Sequence, residues 1–144
     1  MRIPATITAL LLAVSGALAA APFDSTVISS DDIGEISVQM TKRPTLLLEG
    51  LTSVTYKTSA IDMQSSPQRK DVYTLTALCA PKTAEVIRLF RLQTSTQYFV
   101  GGKFVEDTAH AHNPPEAMSL IEHKMFMSGP AGVVCKQANA ALNR

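Results

Sequence analysis

The sequence predicts an α+β fold: an antiparallel meander sheet packed on a C-terminal helix and held by one disulfide. Three observations carry this. Val72–Cys79 alternates along its length, with Tyr73, Leu75, Ala77 and Cys79 on one face and Val72, Thr74, Thr76 and Leu78 on the other, as a strand places its side chains. Gln97–Val100 and Lys103–Val105 flank Gly101-Gly102, and two glycines supply the positive φ of a tight hairpin turn. Ala131, Val134, Cys135, Ala138, Ala141 and Leu142 recur at three- and four-residue spacing, the period of a helix with one buried face.

The chain opens with one Arg, an apolar stretch from Ile7 to Val14 and a run of small residues, A-L-A-A-A. That order is a secretory signal, and cleavage after Ala19 or Ala20 is expected. The apolar stretch falls short of the roughly 20 residues a spanning helix needs. Residues 1–20 are therefore read as a signal peptide and 21–144 as a single exported domain, periplasmic or secreted. No Cys lies near the cleavage point, so a lipoprotein is not expected. Arg2 leaves with the signal, which brings the 13 basic residues of the chain to 12, against 12 acidic ones. With no dense Lys/Arg run, nucleic acid is not an expected partner. Cys79 and Cys135 are the only 2 cysteines. In an exported protein an even count predicts a disulfide between them, and without a Cys-x-x-Cys spacing its role is structural.

The mature domain begins with a polar stretch, Ser25–Gly34, which reads as a solvated lead-in loop. Asp31, Asp32 and Glu35 lack the alternating ligand spacing of a calcium loop. Ile36–Met40 alternates as a half-buried strand. Thr45–Glu49 forms a second run between Pro44 and Gly50, and Ser53–Lys57 a third. Gln64–Asp71 is a polar turn. Ala84–Leu92 fits two periods: as a helix it groups Val86, Leu89 and Phe90, and as a strand it puts Val86, Arg88, Phe90 and Leu92 on one face. The neighbouring strand and hairpin favour a strand, because a meander from Val72 to Val105 makes every local preference agree. Such a strand is apolar on both faces. One C-terminal helix covers one of them, so a homodimer through the other is expected, unless a short helix over Pro114–Met127 takes its place. That helix is predicted from Asn113 as cap, Pro114 in the first turn and Glu116 beyond.

Candidate chemistry is sparse. His110 and His112 stand two residues apart in T-A-H-A-H-N-P-P-E, and in an extended segment they point to one side. They are the candidate metal ligands, with Glu106, Asp107 or His123 as a third, but a catalytic zinc needs three protein ligands and a structural one four. Two solvated loop histidines is the preferred reading, with no metal and no cofactor. Met118, Met125 and Met127 suit Cu(I), and suit an apolar core better. There is no Gly-x-Ser-x-Gly elbow, no phosphate-binding Gly loop and no His-Glu-x-x-His, and Glu116 and Glu122 form no recognisable acid/base pair. The protein is not expected to be an enzyme.

From Val72 onward the order of elements is distinctive: a strand ending in L-C-A-P-K-T-A-E-V-I-R-L-F-R-L, the tyrosine strand Q-Y-F-V-G-G-K-F-V, a P-P linker and a last helix with G-V-V-C, preceded by S-V-T-Y-K-T-S-A-I-D-M. Over about residues 50–137 the chain resembles the surface-adhesin protein E-like domain family, small exported proteins of Gram-negative bacteria. The resemblance implies a sheet on a C-terminal helix, a Cys79–Cys135 bridge, a tendency to dimerise through the sheet, and an adhesin-like binding role toward another protein. It implies no catalytic residues. The alternatives are a periplasmic inhibitor or immunity protein against a secreted toxin or hydrolase, and a metal-binding protein using His110 and His112.

Overall fold

The computed structural model describes residues 23–119, 122 and 129–142. The expected signal segment lies outside them, as do His123, Met125 and Met127. Among the described residues, these elements follow in chain order: β1 (Thr26–Ser30), β2 (Gly34–Met40), β3 (Thr45–Leu46), β4 (Thr52–Asp62), β5 (Arg69–Cys79), β6 (Val86–Val100), β7 (Lys103–Ala117) and α1 (Pro130–Ala141). They form one sheet in the order β1-β2-β4-β5-β6-β7, with β3 also beside β4. Every pairing is antiparallel. The protein is more sheet-dominated than an α+β label suggests. No helix among the described residues is long and apolar enough to cross a membrane.

One face of this sheet packs on α1. Val38 and Met40 of β2, Val54 and Tyr56 of β4, Leu75, Ala77 and Cys79 of β5, and Val86 and Leu89 of β6 are buried there. The helix answers with Ala131, Val134, Cys135 and Ala138, the spacing the sequence shows. Gly129 caps the helix and Pro130 stands in its first turn, where its missing N–H costs nothing. The disulfide Cys79–Cys135 ties the end of β5 to the buried side of α1, with the two Cα atoms 5.6 Å apart. A polar clamp lies beside it. The Thr52 hydroxyl donates to Asn139 Oδ1 at 3.0 Å, and Asn139 Nδ2 donates to the Ala80 carbonyl at 3.0 Å. Asn139 is thus a buried polar residue whose side chain is satisfied from two strand ends, as a buried amide must be.

Four expectations need correction. The lead-in loop contains β1, because Thr26, Val27 and Ile28 favour a pleated backbone and find β2 as partner. Of the Thr45–Glu49 run only Thr45 and Leu46 pair with β4. The chain then turns, with the Gly50 amide donating to the Leu47 carbonyl at 3.0 Å and Gly50 at φ 80°. Ala84–Leu92 is a strand from Val86, but its faces differ from strict alternation. Cys79 pairs with Val86 and Leu78 with Arg88, so Ile87 is an extra residue in a bulge. Val86 and Leu89 consequently share the buried face and Ile87 is turned outward. Finally, Asn113–Glu116 does not start a helix. β7 runs on to Ala117, with Glu116 opposite Arg91 and Ala117 opposite Phe90. The reciprocal bonds of a helix start come later, at Ser119 and Glu122. The Ser119 amide donates to the Glu122 carboxylate at 3.0 Å, and the Glu122 amide to the Ser119 hydroxyl at 3.3 Å. That is the Ser-x-x-Glu capping box, a signal present in S-L-I-E and outweighed by the more conspicuous prolines.

Candidate functional site

The two candidate histidines lie in β7, the edge strand. His110 is opposite Thr94, and strand geometry places His112 on the same side. Their rings meet edge to face, with centroids 4.6 Å apart. His112 Nδ1 is 3.4 Å from Glu116 Oε2. The same carboxylate oxygen accepts from Arg91 Nη1 at 3.4 Å, while Arg91 Nη2 donates to Glu122 Oε1 at 3.1 Å. Arg91 therefore joins the last residues of β7 to the turn at Ser119. The Ser119 amide, then its hydroxyl, then the Arg91 guanidinium hold the Glu122 carboxyl below its ordinary range. Arg91 Nε and His112 Nε2 are enclosed and meet no hydrogen-bond partner among the described residues.

Two imidazoles beside a carboxylate have the ligand types of a zinc site. The carboxylate, however, is already shared with a guanidinium, and a second cation at Glu116 would be repelled by the first. Among the described residues no three His, Cys, Asp or Glu side chains are grouped to hold a metal ion.

The sheet divides into two halves. α1 contacts β2, β4, β5 and β6, and the buried residues of β5 and β6 all lie between Leu75 and Leu89. From Arg91 to Val100, and along the whole of β7, no residue is fully buried. That distal half ends in the β6–β7 turn, where Gly101 and Gly102 take φ 62° and 82° as the hairpin requires. Phe99 and Phe104 face each other there, 5.2 Å between centroids, and Lys70 Nζ sits 5.3 Å from the Phe104 ring. Phe99, Val100 and Val105 are 43%, 57% and 44% exposed, an apolar tip in water. The sequence marked this hairpin for its turn and gave no signal that its aromatic residues stay uncovered.

A shallow acidic groove of about 630 Å³ runs past Asp31, Asp62 and Asp71 at the β2–β4–β5 end of the same half. Glu35 also lines it, and the three aspartates are engaged locally. Asp31 accepts the Gly34 and Ile33 amides, which lower its carboxyl below the usual range. Asp62 accepts the Gln64 amide at 2.9 Å, and Asp71 pairs with Arg69 and Thr96, each at 3.0 Å. These are turn and strand contacts rather than a reactive constellation.

No family model matches the chain, and neither a curated protein nor a solved structure matches it.

Proposed function

We propose that this is a non-enzymatic protein of the bacterial envelope, exported to the periplasm or beyond, that binds another protein in the manner of the surface-adhesin E-like family. One observation carries the reading: the exposed Phe99, Val100 and Val105 at the hairpin tip, on the half of the sheet that α1 leaves uncovered. Aromatic residues held on a rigid hairpin bury large area at low entropic cost, the property of an interface anchor. A periplasmic inhibitor or immunity protein would use the same tip as a plug in a toxin or hydrolase. The family's sheet-mediated homodimer belongs to this reading too, and sedimentation of the mature domain at micromolar concentration tests it.

The test is capture from envelope and matrix extracts with the mature domain and with a Phe99→Ser/Val105→Ser variant. Loss of a specific captured protein in the variant supports the reading. Equal capture by both removes the tip from it. Where the captured protein is a hydrolase whose activity falls on binding, the inhibitor alternative takes its place. The metal reading keeps one supporting observation, the close pair His110 and His112, and is tested by zinc and copper titration of the wild type and of the double His→Ala variant.

A further inference from the structure

We infer that the sheet face opposite α1 carries an oxyanion site, bracketed by Lys57 and Lys70, for a small phosphorylated or sulfated polyol. The site is a pocket of about 360 Å³ on the β2–β4–β5–β6 surface. The register fixes its plan. Ser37 lies opposite Ser59, and Ser59 opposite Val72, forming a row across three strands. Lys57 stands two residues to one side of this row on β4, opposite Gln39. Lys70 stands two residues to the other side on β5, opposite Gln97. Directly opposite residues share a face, so all seven project into the same space. A lysine side chain spans roughly 6 Å, so both ammonium groups can reach the serine row from opposite sides.

The charge balance points to an anion. The pocket has two lysines and no Asp or Glu in its lining. Neither lysine forms an ion pair among the described residues: Lys57 makes no contact with a carboxylate, and Lys70 touches the Phe104 ring. The nearest carboxylates in register are Glu35 and Glu106, in the row of Lys70 but two strands away on either side, roughly 10 Å at the usual strand spacing. At that distance salt screens them from Lys70, whereas an anion in the pocket would meet both ammonium groups directly.

The neutral groups point to a hydroxylated body on that anion. The Ser37 and Ser59 hydroxyls are 2.7 Å apart, so one donates to the other. Two hydroxyls carry two protons, and the second is left to donate outward between the lysines. Gln39 is held by its bond to the Phe23 carbonyl, and its amide oxygen remains an acceptor. The Gln97 side chain has no hydrogen-bond partner among the described residues, and so offers both a donor and an acceptor. The volume exceeds that of a bare phosphate and falls at the lower end of small-ligand sites. The pocket adjoins the hairpin through Lys70, which touches the Phe104 ring, but the inference does not rest on the protein-binding reading: its serines and Lys57 have no part in the tip.

The test is titration of the isotope-labelled mature domain with inorganic phosphate, inorganic sulfate and glucose 6-phosphate at fixed ionic strength, read by amide shifts. Saturable shifts centred on Ser37, Lys57, Ser59 and Lys70 are expected, with glucose 6-phosphate binding at least tenfold more tightly than either inorganic ion. Lys57→Gln and Lys70→Gln should each weaken that binding tenfold or more, whereas Arg88→Gln, outside the pocket, should leave it unchanged. Lys57 is exposed and Lys70 half-buried, and an unchanged melting temperature would show that the variants fold. Shifts spread evenly over all lysines, or equal binding by wild type and both lysine variants, would overturn the site. Equal affinity for the sugar phosphate and the inorganic ions would overturn the polyol part of the assignment.

Discussion

The two halves of this sheet share four strands, β2, β4, β5 and β6, with β7 added to the distal one, and hold very different contents. Under α1, the buried residues are Val, Leu, Ala and Cys with Met40 and Tyr56, and the buried polar residues, Thr52, Thr58 and Asn139, are hydrogen-bonded. Beyond Arg91, the same strands carry Thr, Ser, Gln, His and exposed aromatics, and bulges interrupt the ladders of β6 with both neighbours. Stability is concentrated at one end and the available chemistry at the other. The β4–β5 ladder, unbroken from Thr52 opposite Cys79 to Asp62 opposite Arg69, joins the two ends.

Predictions that would break this division run from large to small. Cys135→Ser should have the greatest effect. The bond joins residues 56 apart in sequence, and chain entropy puts such a closure at about 4 kcal/mol. A fall in melting temperature of roughly 10 °C or more is expected for a domain of this size, and a change of a degree or two would show that the helix holds without the bond. Asn139→Ala comes next. It leaves the half-buried Ala80 carbonyl without its side-chain donor, at up to about 1–3 kcal/mol, to be read from urea unfolding. In the distal half, His110→Ala with His112→Ala should change unfolding free energy by less than about 1 kcal/mol, since His110 is exposed and the pair lies outside the core. A larger loss would mean that β7 is part of the cooperative unit.

The smallest effect concerns acid. Asp31 and Glu122 both have carboxyls held below their ordinary range, by the Gly34 and Ile33 amides in one case and chiefly by the Ser119 amide in the other. A lowered folded-state value means that these contacts contribute above the unfolded carboxylate range and are lost as pH falls through the folded one. Hydrogen exchange at Ile33, Gly34 and Ser119 should therefore lose protection, after correction for intrinsic rates, as the two carboxyls become protonated. The global melting temperature should move little, because both groups are exposed. Asp31→Ala should abolish the pH dependence at Ile33 and Gly34 only.

Much of the fold was legible from the chain. The alternation of Val72–Cys79, the two glycines at the hairpin, the period of α1 and the pair of cysteines each fix a local geometry with few alternatives. What depends on long-range pairing was less so. One inserted residue, Ile87, reverses the side chains that follow it, and no composition signal marks it. Asn113-Pro-Pro-Glu116 has the letters of a helix start, yet long-range pairing of Glu116 with Arg91 and the Met118 amide bonded to the Leu89 carbonyl keep the chain extended. Asn139 was passed over because its partners, Thr52 and Ala80, are far away in sequence. The Lys57–Lys70 pocket depends on the register of β4 against β5, which the hydrophobic pattern sets only once both strands are known.

The disulfide has a topological consequence as well. Its two cysteines lie on either side of the whole β6–β7 hairpin, so that hairpin is a loop closed by a covalent bond. Lys103 stands in its exposed turn, next to Gly102. A protease that cuts there would yield two fragments joined through Cys79 and Cys135, with α1 still seated on the sheet. The nicked protein would migrate as one band until reductant is added. Severing the hairpin tip and dismantling the domain would then be separate events, under the control of a protease and a thiol respectively.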